Sequence, residues 1–442
     1  MNINSVLGKN WTPKNYNEET VKFLKENFNL SEIVSRLIAI RKIKIEDVNI
    51  FLKPKIKNLL PNPFILKDMD KAVNRTFQAI INKEITGIFG DYDVDGATST
   101  AILGNYFNEI NHEIQIYIPD RKTEGYGPSI NGFEKLISQG AKLIFTVDCG
   151  TLSFETIDFF KKKDTDVLVF DHHQSELKLP NAVSIVNPNR FDDESKLNYL
   201  CAAGVCLMFL IALNKKLRES KWFGNNNIKE PNLINYLDLV SLGTVCDVVP
   251  LIGLNRAIVS QGLEVFKKKS NLGLNTLKNI CGIETNITTY HLGYILGPRI
   301  NAGGRVGKSS HGANLLLSKN SKEIFKIASE LDSFNKERKI IETEMLNNIE
   351  NNVKINTNEP VIVLSGHNWH GGVIGIIAAR IKDKYNKPTI VISVEKGIGR
   401  ASARSVFGFD IGKIILNAIE KNILKKGGGH KMAGGFTIEE NK

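Results

Sequence analysis

Between residues 85 and 189, five short apolar runs alternate with helical patterns, and each hands over to polar residues at its C-terminal end. Residues 85–89 run into Asp91, Asp93 and Asp95, and residues 114–118 into Pro119-Asp120-Arg121. Residues 143–147 run into Asp148-Cys149-Gly150, 167–170 into Asp171-His172-His173, and 183–186 into Asn187-Pro188-Asn189. Strands interleaved with helices predict a parallel sheet covered on both faces. In such open sheets ligands bind at the carboxyl ends of the strands. One acid-bearing end is a cheap coincidence; three along one edge are not.

The first of these ends is the densest in charge. Gly90-Asp91-Tyr92-Asp93-Val94-Asp95-Gly96 joins a strand to a helical pattern carried by Ala101, Ile102, Leu103, Tyr106 and Phe107. Side chains alternate in an extended segment, which predicts that Asp91, Asp93 and Asp95 project to one side. Like charges held that close raise at least one pKa unless a cation sits among them. An ordinary Asp/Gly turn carries the same letters, so the other strand ends have to decide.

The flanking chain divides readily. Residues 1–75 are an amphipathic helical preamble without chemistry, and residues 204–213 are a buried helix. Asp247 lies in the apolar stretch 241–251, where a lone carboxylate needs a partner. Residues 291–305 read as a glycine-rich loop bearing Arg299, Asn301 and Arg305. The stretch 302–309 nearly spells a phosphate-binding P-loop, but Ala302 stands where its first glycine belongs and Pro298 interrupts any preceding strand. Residues 323–349 are a long charged helix, and a second α/β unit begins at Pro360. It carries Ser402 and Arg404, then Gly427-Gly428-Gly429-His430. Glycine this dense lets backbone N–H groups approach an anion, and Arg and Ser at i, i+2 grip phosphate oxygens.

Composition narrows the function class. The net charge of +11, from 58 Lys and Arg against 47 Asp and Glu, favours a polyanionic partner. The five cysteines form no C-x-x-C pair, which disfavours a zinc knuckle or a disulfide framework and fits a reducing cytoplasm. No apolar run approaches the ~20 residues of a membrane span, and no signal-peptide core opens the chain. Asp91, Asp93, Asp95, Asp148, His172 and Asp247, with His173 and Asp171 alongside, form a hard-oxygen set with imidazoles and no thiolate. Such a set suits Mn²⁺ or Mg²⁺. Two such ions about 4 Å apart, sharing a carboxylate, drive in-line phosphoryl displacement.

Asp91-Tyr-Asp-Val-Asp-Gly, Thr146-Val-Asp-Cys-Gly, Asp171-His-His and Gly243-Thr-Val-Cys-Asp-Val-Val-Pro resemble, in order, the four motifs of the DHH phosphoesterase superfamily. Gly427-Gly-Gly-His-Lys-Met-Ala-Gly-Gly resembles its DHHA1 domain. The segments Arg121-Lys-Thr-Glu-Gly-Tyr-Gly and Gly297-Pro-Arg-Ile-Asn-Ala-Gly-Gly-Arg are similar to the branch of single-strand-specific 5′→3′ DNA exonucleases. The resemblance implies an α/β fold with a parallel-sheet DHH domain over 76–270, a connector with a long helix over 271–355, and a smaller α/β DHHA1 domain over 356–442. It implies Asp93, Asp95, Asp148, His172 and Asp247 as ligands of two Mn²⁺ or Mg²⁺ ions, with Asp148 bridging. Asp91 joins them less directly, since many relatives begin this motif with a differently spaced His. His173 is expected to face the scissile phosphate; Arg121, Ser402 and Arg404 to grip a 5′-terminal phosphate; Arg299, Asn301, Arg305 and His430 to line the strand path. Implied partners are single-stranded DNA, a single-strand-binding protein and a helicase, around a cytoplasmic, non-membrane monomer in DNA repair and recombination. Relatives continue into an oligonucleotide-binding fold, whereas this sequence stops at Lys442, which predicts a weaker grip with catalysis intact. The alternative is a phosphoesterase of short oligonucleotides or cyclic dinucleotides with the same chemistry. A non-catalytic scaffold would have lost its acids, and a pyrophosphatase would need little of the second unit.

Overall fold

The computed structural model describes residues 3–6, 10–121, 123–161, 163, 165–353 and 355–442. Helices α1 (Glu18–Phe28) and α2 (Glu32–Ile40) form a small unit around Leu24, Ile38 and Val48. Their starts are fixed locally, by Asn17 accepting from the Thr20 N–H and Ser31 from the Val34 N–H.

Strands β1 (Thr86–Gly90), β2 (Ile114–Tyr117), β3 (Leu143–Val147), β4 (Asp166–Phe170) and β5 (Ser184–Val186) make the parallel sheet that the sequence predicts, in the order β2-β1-β3-β4-β5. The side-chain period of two splits each strand between two cores. Ile88, Phe145, Leu168 and Phe170 face helices α3 (Val94–Glu109), α4 (Ala202–Glu219) and α5 (Leu237–Cys246). Phe89, Ile144, Val167 and Val169 meet Phe133, Leu136, Ile157 and Phe160 on the other face. Phe145 and Phe170, stacked at 5.6 Å and fully buried, each contribute roughly 1.5–3 kcal/mol.

Register aligns the strand ends: Gly90 lies opposite Val147, and Val147 opposite Phe170. The residues that follow β1, β3 and β4 therefore emerge side by side. Strand order reverses between β1 and β3, the point where a doubly wound sheet opens a crevice.

The segment read as a glycine-rich loop is helical instead: a π-helical turn, His291–Leu296, runs into α6 (Gly297–Val306). Its glycines serve close packing rather than flexibility, and a Cβ at Gly304 would lie 3.1 Å from the Tyr92 ring. Helix α7 (His311–Leu317) then leads to α8 (Ser321–Asn352), 32 residues long. Ile324, Ile327, Ala328 and Leu331 of α8 belong to the first core, whereas Met345 and Ile349 belong to that of the second sheet. One rod thus joins two cores.

The second sheet contains β6 (Ile362–His367), β7 (Thr389–Glu395), β8 (Ile398–Arg404), β9 (Lys426–His430) and β10 (Ala433–Glu439), ordered β9-β10-β8-β7-β6. Only β6 and β7 pair in parallel. Helices α9 (Ile374–Tyr385) and α10 (Ile411–Glu420) cover it. The glycines at 427–435 form a hairpin, with Gly428 opposite Gly435. No helix among the described residues is long and apolar enough to cross a membrane.

Candidate metal centre and anion pocket

Asp91, Asp93 and Asp95 do not sit on an extended segment, so alternation is not what orients them. Asp93 caps α3, accepting the Gly96 N–H at 3.0 Å, and Asp95 is already in the first helical turn. Asp95 turns inward and accepts from the Ala202 and Ala203 N–H groups at 2.6 and 3.0 Å, at the start of α4. The turn leaves no room at Gly96, where a Cβ would fall 2.5 Å from the Asp91 carbonyl oxygen. Asp148, after β3, holds a left-handed backbone at φ 60°, and Val248, after Asp247 at the end of α5, holds φ 61°. For a β-branched residue such as Val248 that conformation is strained, and it directly follows Asp247.

The two histidines are fixed from below. Buried Asp171 accepts from the His172 and His173 N–H groups at 2.8 and 3.2 Å, from the Thr151 N–H at 3.0 Å, and pairs with His173 Nδ1 at 2.7 Å. Asn187 donates to the His173 carbonyl at 2.9 Å, and Asn189 to that of His172. Tyr126 donates to the Asp148 carbonyl at 3.0 Å and its hydroxyl lies 3.3 Å from His173 Nδ1. Sequence reasoning gave no site role to Asn187, Asn189 and Tyr126; their signal was position alone, at a strand end or in the Arg121 segment.

His172 Nε2 lies 3.3 Å from Asp148 Oδ1, 3.5 Å from Asp247 Oδ2 and 3.8 Å from Asp95 Oδ2. Three groups each bring ligand atoms within 4.8 Å of one another: Asp91, Asp93, Asp148; Asp148, His172, His173; and Asp95, His172, Asp247. Asp148 and His172 each belong to two of them. Buried Asp91 Oδ1, Asp148 Oδ1, His172 Nε2 and Asp247 Oδ2 have no hydrogen-bond partner, and all four belong to these groups. Burial and then Asp93 lift the Asp91 and Asp148 carboxyls far above their ordinary range. Burial and then Asp95 push Asp247 up to about 8. Burial holds His172 below its usual value; His173, which burial opposes, is lifted to about 9 by Asp171. Oxygen donors that resist ionising beside one another fit divalent cations, which supply the missing partner charge.

A second cluster is cationic. Arg305, half-buried, is pushed down to about 10 by desolvation and then by Arg121, Arg338 and Arg404. Its Nη1 donates to the Gly372 carbonyl at 3.1 Å, tying α6 to the second unit. Arg121 lies over the Tyr92 ring at 5.2 Å. Arg404 donates to Ser402 Oγ at 3.1 Å, and a Cβ at Gly375, in the first turn of α9, would lie 3.0 Å from that oxygen. A helix N-terminus and the Arg121, Arg305 and Arg404 guanidiniums thus converge, as an anion site requires; Arg338 is itself paired with Glu342 at 2.6 Å. Burial, then Arg404 and His173, keep His430 below its usual pKa, so it feels a member of each cluster. Of the residues expected to bind substrate, Arg121, Arg305, Ser402, Arg404 and His430 come together. Arg299 instead pairs with Asp332 of α8 at 2.8 Å, and Asn301 is half-buried on the same helix. Lys122 lies outside the described residues.

Residues 86–244 match the family model of the DHH family, N-terminal domain, and residues 358–442 that of the DHHA1 domain. The single-stranded-DNA-specific exonuclease RecJ of Haemophilus influenzae is 36% identical over 396 residues, covering 87% of this chain and 68% of that protein. The chain belongs to the RecJ family. RecJ of Bacillus subtilis is 33% identical over 97% of this chain, and the chain spans 53% of that protein's length. The structure of Thermus thermophilus RecJ in complex with Mn²⁺ aligns with a TM-score of 0.80 at 26% identity, over 96% of this chain and 59% of that one. RecJ from the same organism is also solved in complex with Mg²⁺. The acidic groups described above are of the kind that holds either ion.

Proposed function

We propose that this chain is a metal-dependent exonuclease that hydrolyses single-stranded DNA from its 5′ end to mononucleotides. The observation that carries the reading is the sharing of Asp148 between two ligand groups, near an arginine pocket that shares His430 as a neighbour with His173. Asp91, Asp93, Asp95, Asp148, His172 and Asp247 would hold two Mn²⁺ or Mg²⁺ ions, with Asp148 between them. Such a pair, when bound, activates water and steadies the charge that develops on a phosphodiester.

The chain's own residues do the rest. Asp171 fixes His173 through Nδ1, which leaves Nε2–H to donate to a non-bridging phosphate oxygen. Arg121, Ser402, Arg404 and the first turn of α9 take the 5′-terminal phosphate. Arg305 supports them from beneath, and its bond to Gly372 keeps the pocket at a set distance from the acids. Fixing the terminal phosphate fixes which linkage meets the acids, and that register would release one nucleotide at a time. We assign the activity to the cytoplasm, where the free thiols stay reduced. There it would act as a monomer in DNA repair and recombination, beside a single-strand-binding protein and a helicase. The domain limits 76–270, 271–355 and 356–442 are proposed on the same grounds.

The test is single-stranded DNA labelled at either end, with Mn²⁺, with EDTA, and with Asp148→Ala. Immediate release of mononucleotide from the 5′ label, abolished by both EDTA and the substitution, is the expected result. Turnover of dinucleotides without cleavage of the long strand would instead establish the small-substrate enzyme.

A further inference from the structure

The π-helical turn ahead of α6 has a cause in the sequence. Pro298 offers no N–H to the Tyr294 carbonyl four residues back, and its ring would crowd that carbonyl in a regular α-helix. A widened turn relieves the clash, and the Arg299 guanidinium donates to the Ile295 carbonyl at 2.8 Å. The inner face of this turn is seated firmly on α5. Leu292 and Leu296 are fully buried, and a Cβ at Gly297 would lie 2.4 Å from Cys246 Sγ. Cys246 Sγ donates to the Leu292 carbonyl at 3.4 Å, and the next residue is Asp247.

The outer face is aromatic and uncovered. Tyr290 and Tyr294 are 60% and 74% exposed, with their rings stacked at 5.2 Å and 24°. Nothing in the metal centre or the arginine pocket uses them. We propose that Tyr290 and Tyr294 form a stacking platform for unpaired bases of the substrate strand, a few nucleotides in from its 5′ end. The proposal rests on the exonuclease reading above. Proteins that hold single strands pair a cationic track with aromatic faces on which bases stack, whatever their sequence. Here both lie on one continuous helical run, since α6 carries Arg305 into the cationic pocket at its far end. Tyr294 and Arg305 are eleven positions apart, or about 16 Å at the helical rise, the reach of a few nucleotides. Tyrosine suits the task, because its ring stacks while its hydroxyl stays in water.

The experiment measures binding by fluorescence anisotropy in Mn²⁺. The ligand is a 5′-phosphorylated strand of about twenty thymidines whose first linkages are non-hydrolysable, with a single abasic site walked inward from the 5′ end. Wild type should lose several-fold in affinity when the abasic site reaches the platform. Tyr290→Ala with Tyr294→Ala should weaken the intact strand about tenfold and erase the penalty at that same position. Tyr290→Phe with Tyr294→Phe should keep the wild-type profile. Wild-type affinity in the alanine variant, or an unchanged abasic profile, would overturn the platform alone. A wild-type protein that fails to bind the strand would overturn the exonuclease reading as well.

Discussion

Gly96 is the position at which the acidic motif tolerates least. A methyl there would meet the Asp91 carbonyl at 2.5 Å and the Asp91 Cβ at 2.7 Å, so Gly96→Ala must displace the very acid it neighbours. Overpacking of this kind costs roughly 1–3 kcal/mol, and we expect both a lower Tm and loss of Mn²⁺ affinity by calorimetry. A variant with unaltered Mn²⁺ affinity would show that Asp91 is dispensable. His112, far from the acids, gives a cleaner titration. It is 7% exposed, paired with Thr86 Oγ1 at 2.8 Å, and burial pushes it down to about 4. The unfolded chain binds a proton near 6.5 that the folded chain refuses, so its share of stability is complete above that pH. It is lost as pH falls from 6.5 towards 4, amounting to about 3 kcal/mol. Urea unfolding of His112→Gln should therefore start lower at neutral pH but lose less than wild type on acidification. Parallel losses in the two proteins would refute the assignment.

At the scale of elements, what the sequence made legible followed burial. Apolar runs such as 143–147, buried along their whole length, could only be interior strands, and their polar ends marked the site edge. What it hid were the glycines. Residues 291–305 carry poor helix formers and read as a loop. Yet Gly297 is there because Cys246 approaches too closely for any side chain, and Gly304 because Tyr92 packs tightly against it, and such tertiary contacts leave no local trace. Asn187 and Asn189 were hidden for a related reason, since their partners are backbone carbonyls of the histidine turn. The long helix α8 was legible as an element but not as a hinge of ion pairs. Buried Glu342 accepts from Arg338 at 2.6 Å and from Arg380 of α9 at 3.2 Å, locking the rod to the second unit. Glu342→Ala strands the half-buried Arg338 charge and should cost roughly 3–5 kcal/mol. The second unit should then lose protection first in hydrogen exchange, and uniform loss across both sheets would argue against this lock.

The whole molecule brings two opposite charge sets near one another. Carboxylates stand beside the strand ends of the first sheet; Arg404 and His430 come from the second, with Arg121 and Arg305 joining Arg404. Without divalent ions the acids offer a phosphate backbone no attraction, so the cationic wall alone must hold the strand. Each phosphate neutralised on a single strand contributes a slope of about 0.7 in log affinity against log salt. Arg404→Gln should thus lower that slope by about 0.7 and erase the preference for a 5′-phosphate over a 5′-hydroxyl. A charge-assisted hydrogen bond of about 1.5–3 kcal/mol sets the loss at ten- to a hundredfold on the phosphorylated strand only. Asp148→Asn, measured in EDTA, should leave the affinity for both strands unchanged, because burial and Asp93 already lift that carboxyl far above its ordinary range and keep it uncharged without ions. The two variants together separate grip from catalysis. If Arg404→Gln weakened both strands equally, Arg404 would be contacting the backbone in general, and the terminal phosphate would have to be read elsewhere.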